Sequence, residues 1–188
     1  MSLLDASKTR PLEGGASYSL GHRAFRAGWW LSWMLLAAWT PPPFHFWRRW
    51  VLVMFGATLH RTVRVYGSAR IWYPPNLVMA AHSVLGPKVE CYCMAKVTIG
   101  EKAVVSQQAY LCGGTHDIRS PHFQLITRDI EIKANAWVAA RAFIGPGVTV
   151  AEGSIVGAGS VVFRNTEPDG VYIGNPAALI KRRGRNLR

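Results

Sequence analysis

From Ile132 onward the chain places a β-branched aliphatic residue at every sixth position: Ile132, Val138, Ile144, Val150, Val156 and Val162. An upstream run keeps the same beat at Met79, Leu85 and Cys91 and, after two extra residues, at Ile99, Val105 and Leu111. A period of six is too long for the alternation of one strand and does not match the 3.6 of a helix. It fits a short strand and a tight corner, repeated. Small residues follow several slots (Gly86, Gly100, Gly145, Gly157), where a corner wants a permissive backbone. Three such strands close a triangular coil of roughly 18 residues, and stacked coils bury the aliphatic slots as one continuous ladder. The spacing therefore predicts a mainly β chain built as a parallel β-helix, without fixing its handedness.

The rest of the chain divides around that prism. Residues 1–22 read as a flexible N-terminal arm, and residues 23–70 as a Trp-rich, basic helical extension holding six of the eight tryptophans. There the run AGWWLSWMLLAAW predicts a helix stopped by Pro41–Pro43, with a second helix over 44–59. The β-helix is expected over 71–180, with a loop insertion at 117–131, and a basic tail over 181–188. The apolar part of the first helix, about 12 residues, is too short to span a bilayer, which takes about 20. The pair is expected to pack on the prism or to lie at a membrane interface, and the two are compatible.

Composition narrows the class. With 188 residues, 49% hydrophobic and 17% charged, the chain buries a real core and is not disordered. Three cysteines without CxxC spacing argue against a disulfide framework or a structural zinc site. The first 20 residues lack the apolar run of a signal peptide, so a cytoplasmic location is expected, peripheral on the inner face of the membrane if the helices touch lipid. The net charge is +12, and no acidic residue occurs between Glu13 and Glu90. Such a balance points to anionic phosphates on a cofactor, a lipid surface or nucleic acid. No RNA- or DNA-binding motif is present, so nucleic acid is not expected.

The ladder breaks once, over LCGGTHDIRSPHFQLITRDIEI (Leu111–Ile132), and resumes in phase. A loop grafted onto a rigid prism without disturbing its register is the arrangement of a site. His116 and Asp117 stand at its near edge.

With the repeats, the THD before the loop, and the closing GNPAALIKRR, the chain resembles the hexapeptide-repeat acyltransferases, whose β-helix is left-handed. RRWVLVMFGA, YPPNLVMAAHSVLGPKV, CYCMAKVTIGEKAVVSQQAYLCGGTHD and NAWVAARAFIGPGVTV resemble its colanic acid biosynthesis acetyltransferase branch over roughly residues 29–183. The resemblance implies O-acetyl transfer from acetyl-CoA to a sugar or oligosaccharide hydroxyl, in a homotrimer with sites between subunits and no metal.

The resemblance makes His116 the general base, a task that suits an imidazole because histidine ordinarily titrates near neutral pH. Asp117 is a candidate to orient the ring, although neighbours along a strand point apart. The resemblance lays acetyl-CoA along Trp137, Ala139 and Ala140, with Ala158 a coil further on. Backbone N–H and C=O groups there would meet the pantetheine, and an N–H near Ala139 or Ala140 would serve the oxyanion. Arg164, Lys181, Arg182 and Arg183 are candidates for the CoA phosphates. Tyr92 and Cys93 fall where the branch usually carries Tyr-Asn and are candidates for acceptor binding. A nucleophilic role for Cys93 would require an activating base.

Two other readings share some features. His82, His116 and His122 invite comparison with the zinc-dependent gamma-class carbonic anhydrases, but His122 lies in the loop and not on the scaffold. The basic charge alone would also suit a non-catalytic module for an anionic partner.

Overall fold

In the computed structural model, which describes residues 3–184, every aliphatic slot of the ladder from Met79 to Val162 is buried. The strands stack in parallel on three faces. The first face holds Thr58–Leu59, Leu77–Met79, Val97–Ile99, Ile130–Ile132 and Thr149–Val150. The second holds Arg64–Val65, Val84–Leu85, Val104–Val105, Trp137–Val138, Ile155–Val156 and Gly170–Gly174, and Ala177–Arg182 closes it antiparallel. The third holds Arg70–Ile71, Glu90–Tyr92, Tyr110–Cys112, Phe143–Ile144 and Val161–Val162.

The corners differ from the expectation in one respect. The glycine after a slot is there for room and not for dihedral freedom: a Cβ on Gly100 would lie 2.6 Å from the backbone nitrogen of Ala134. Positive φ falls two residues later, often on larger side chains such as Lys102 (φ 55°), Asn135 (57°) and Arg141 (60°). Each of these donates its N–H to a corner carbonyl of the preceding coil, Ala81, Glu101 and Gln107 respectively. A hydrogen bond worth about 1 kcal/mol offsets much of the roughly 1–2 kcal/mol that a left-handed conformation costs a non-glycine residue.

The β-helix begins at Thr58, earlier than the expected residue 71, and Thr58 pairs with Val78. The signal was present: Leu59, Val65 and Ile71 keep the six-residue beat, and Val65 and Ile71 are buried. The second helix is accordingly shorter than 44–59.

Helix α1 (Ala6–Thr9) is a single turn capped by Asp5. Helix α2 (Leu20–Leu36) is N-capped by Ser19 and buries Trp29 and Trp33, one turn apart. Their indole N–H groups donate to the carbonyls of Ile71 (2.6 Å) and Gly67 (3.2 Å), tying the helix to the first coil. Helix α3 (His45–Met54) buries Val51, Leu52 and, unusually, Arg48. With no carboxylate nearby in the sequence, the guanidinium gathers neutral acceptors. Nε donates to Val65 O, Nη1 to Thr40 O, Thr40 Oγ1 and Pro41 O, and Nη2 to Pro42 O, over 2.6–3.1 Å. Arg48 thus satisfies the Thr40 and Pro42 carbonyls and shares that of Pro41 with the Phe44 N–H.

The described part of residues 1–22, expected to be a loose arm, lies against the inserted loop. Ala6 N–H donates to Gln124 Oε1 (2.7 Å), Gln124 Nε2 donates to Leu4 O, and Tyr18 is buried. At the other end, Lys181 and Arg182 belong to the closing strand and not to a tail, and residues 185–188 lie outside the described part.

Candidate active site

The break in the ladder is a β-hairpin. Thirty-three residues separate Thr98 from its partner Glu131, where 18 separate Glu131 from Thr149, so the insertion leaves the stack intact. Gly114–His116 pairs antiparallel with Leu125–Thr127, with His116 opposite Leu125. The hairpin leaves the prism beside Met94, whose Sδ would be 2.5 Å from a Cβ on Gly114, so a larger residue would push it away. His116 was expected on the last rigid residue of a coil. It stands instead on the hairpin, beyond the coil strand Tyr110–Cys112.

The geometry at His116 fixes its tautomer. Nδ1 lies 2.8 Å from the carbonyl oxygen of Phe123, which can only accept, so Nδ1 carries the proton. The ring also stacks on Phe123, with centroids 4.4 Å apart and planes within 12°. Nε2 is left with its lone pair uncommitted among the described residues. Asp117 does not orient the imidazole: its Oδ1 takes the Arg119 N–H (2.9 Å), and its own N–H donates to Gln124 O. Its carboxylate shapes the loop, and the orienting task falls to the Phe123 carbonyl.

His116 lines a cavity of about 420 Å³ with Tyr18, Arg26, Trp72, Tyr92 and Met94. Arg26 and Tyr18 were not anticipated; their signal was the basic and aromatic residues of the segment read as an arm and helix. Arg26 stacks over the Trp72 ring at 4.2 Å, a cation–π contact that fixes both. Burial pushes the Tyr18 hydroxyl well above the ordinary tyrosine range, and it lacks a hydrogen-bond partner among the described residues. Tyr92, expected at the acceptor site, is in this wall. Cys93 is not. It is fully buried, its Sγ takes the Tyr73 N–H and donates to Tyr73 O, and it meets neither substrate nor base. The alternation along Glu90–Tyr92 turns Tyr92 outward and the residues flanking it inward. Asn76, arriving from the preceding coil, donates its amide to the carbonyls of Cys93 and Met94.

The residues expected to hold acetyl-CoA lie elsewhere on the chain. Trp137 is on the second face, 46% exposed, with its indole N–H donating to Ser106 Oγ (2.8 Å). Ala140 and Ala158 occupy equivalent corners one coil apart, linked by the Gly159 N–H donating to Ala140 O. Ala139 is no oxyanion donor, because its N–H is spent on Val156 O (2.9 Å). Among the described residues the Ala140 N–H is uncommitted. Arg164 and Lys181 are exposed, whereas Arg182 is paired with Glu167 and therefore less available to a phosphate. Arg183 donates its N–H to Asp169 O, leaving its side chain exposed. None of Trp137, Ala139, Ala140 or Ala158 lines the cavity at His116.

Among the described residues, no three His, Cys, Asp or Glu side chains converge as a metal site.

A hexapeptide-built parallel β-helix, with a histidine held in one tautomer on a hairpin inserted between coils, defines a class. Residues 129–164 match the bacterial transferase hexapeptide (six repeats) family. Over 168 residues the chain is 36% identical to the colanic acid biosynthesis acetyltransferase WcaF of Escherichia coli (strain K12), covering 86% of this chain and 92% of the relative. The chain belongs to the hexapeptide-repeat acetyltransferases. Its fold is also that of a maltose O-acetyltransferase from Clostridium difficile 630 (TM-score 0.79, 20% identity, 98% of this chain and 100% of that one). A hexapeptide-repeat acetyltransferase from Vibrio cholerae O1 biovar eltor, solved with acetyl coenzyme A, is similar (TM-score 0.76, 18% identity, 97% and 100% covered).

Proposed function

We propose that this acetyltransferase moves the acetyl group of acetyl-CoA to a hydroxyl of a saccharide, by direct transfer in a ternary complex. The observation that carries the reading is the His116 tautomer, Nδ1–H on Phe123 O, with His116 in the wall of a cavity. Nε2 takes the proton of the acceptor hydroxyl as its oxygen attacks the thioester carbonyl carbon. The tetrahedral intermediate collapses, the C–S bond breaks, and the thiolate leaves with the proton returned by Nε2. The Ala140 N–H is the donor suited to the oxyanion. No enzyme nucleophile is required, in keeping with the burial of Cys93.

The acetyl-CoA groove over Trp137, Ala140 and Ala158, with Arg164, Lys181 and Arg183 toward the phosphates, lies on a different face from His116. The separation supports a homotrimer in which the hairpin of one subunit completes the groove of its neighbour. A saccharide acceptor is supported by two names, that of a relative named for colanic acid biosynthesis and that of a fold neighbour named a maltose O-acetyltransferase.

The test is thiol release from acetyl-CoA with a panel of free, nucleotide-linked and lipid-linked sugars, using wild type and His116→Ala. Turnover of the variant is expected to fall by about 10²–10⁴, with acetyl-CoA affinity retained. Undiminished turnover overturns the assignment.

A further inference from the structure

We propose that the outer face of α2 and α3 is a docking surface for an anionic phospholipid bilayer. The core-facing positions of α2 are Trp29 and Trp33. The opposite side, where a helix on a soluble protein carries its charges, presents Leu31 and Leu35, 48% and 59% exposed. No Lys, Arg, Asp or Glu occurs between Ala27 and Trp47. Trp39 is 73% exposed, and Phe46 and Met54 on α3 are 67% and 63% exposed. Trp47 joins the two helices into one surface, donating its indole N–H to Leu36 O (2.7 Å) and stacking on Trp50. An apolar surface of this extent marks an interaction site.

Charge identifies the occupant. The acid-free span from residue 14 to 89 contains eight bases, of which only Arg48 is buried. Arg23, Arg49, Arg61 and Arg64 are thus presented on or next to the two helices. A second copy of this face would set arginines against arginines with no carboxylate to pair them, a costly juxtaposition. Lipid phosphates complement the same pattern, and tryptophan favours the depth of the headgroups. No helix among the described residues is long and apolar enough to cross a membrane, so the pair lies on the surface.

The test is flotation of the purified protein with phosphatidylcholine vesicles, with and without phosphatidylglycerol. Binding to the anionic vesicles is expected at about 50 mM salt and lost at about 500 mM, where charge is screened. Leu31→Glu/Leu35→Glu, at exposed positions where glutamate is a good helix former, is expected to lower partitioning by about tenfold or more while the melting temperature holds. No flotation at low salt, or equal flotation of the double variant, overturns the proposal. So does a loss of oligomeric mass in the double variant without vesicle binding by the wild type, which would make the face a subunit contact.

Discussion

His116 and Phe123 hold each other in two ways: the imidazole Nδ1 donates to the Phe123 carbonyl across 2.8 Å, and the two rings stack at 4.4 Å. The carbonyl fixes which nitrogen is basic, and the stacked ring fixes where it points. Phe123→Ala keeps the first and removes the second. The expected result is a fall in kcat of about tenfold with the KM for acetyl-CoA unchanged, because a loosely aimed base loses reactive orientations. Phe123→Tyr should restore kcat. The 15N shifts of His116 should keep the Nδ1–H signature in both variants. Loss of that signature in Phe123→Ala would mean the ring, and not the carbonyl, sets the tautomer.

Arg48 makes a separate prediction, about stability. Arg48→Met fits a similar stem but removes the donor to the carbonyls of Thr40 and Pro42, while Pro41 O keeps the Phe44 N–H and Val65 O keeps His45 Nδ1. Each unmet acceptor costs about 1–3 kcal/mol, so a loss of about 2 kcal/mol or more is expected in denaturant melts. Arg48→Lys should recover only part of it, since one ammonium cannot reach acceptors spread around a guanidinium. A variant as stable as wild type would remove Arg48 as the organiser of the proline turn.

Much of this architecture was legible from spacing, because a six-residue period in β-branched residues has few solutions. The beat even extended to Leu59, Val65 and Ile71, hidden among bases that made the segment read as helix. The site was harder to read. His116 stood out at the edge of the break, but its partner turned out to be a backbone carbonyl, and a carbonyl leaves no mark in side-chain identity. Ala139 and Ala140 look alike in sequence, yet ladder pairing spends the N–H of one and leaves the other. Asp117 and Cys93 misled for a related reason: each follows a candidate site residue in sequence, and a side chain next to one in a strand emerges on the other face. The docking of the N-terminal segment rests on Gln124, 118 residues from Ala6, a relation no local pattern encodes.

His22 gives the fold a pH dependence. Its ring is packed between Tyr18 (4.5 Å), Tyr73 (4.7 Å) and Trp72 (5.3 Å), and neither ring nitrogen has a hydrogen-bond partner among the described residues. Burial, aided by the Arg26 charge, holds its pKa below the ordinary 6.5. The unfolded chain therefore takes up the proton first. The contribution is whole above pH 6.5 and is lost as the pH falls from there through the folded-state value. Thermal melts of wild type should show a declining melting temperature over that range. His22→Phe keeps the aromatic packing without the titration, so its curve should be flatter, and parallel curves would rule out His22 as a source.

The separation of His116 from Trp137 predicts complementation between two inactive proteins. Take His116→Ala, which lacks the proposed base, and Trp137→Ala/Ala158→Glu, which places a carboxylate in the proposed acetyl-CoA groove. If each site takes its hairpin from one subunit and its groove from the next, neither homotrimer turns over. Subunits mixed at random by refolding or co-expression restore an intact site wherever a groove-deficient subunit lends its hairpin to a base-deficient neighbour. With equal amounts that holds at about one interface in four, so the mixture should recover about a quarter of wild-type activity. Sites contained within single subunits would recover none at any ratio. Thiol release measured across mixing ratios should therefore peak at equal amounts, and a flat, inactive profile would place the whole site in one chain.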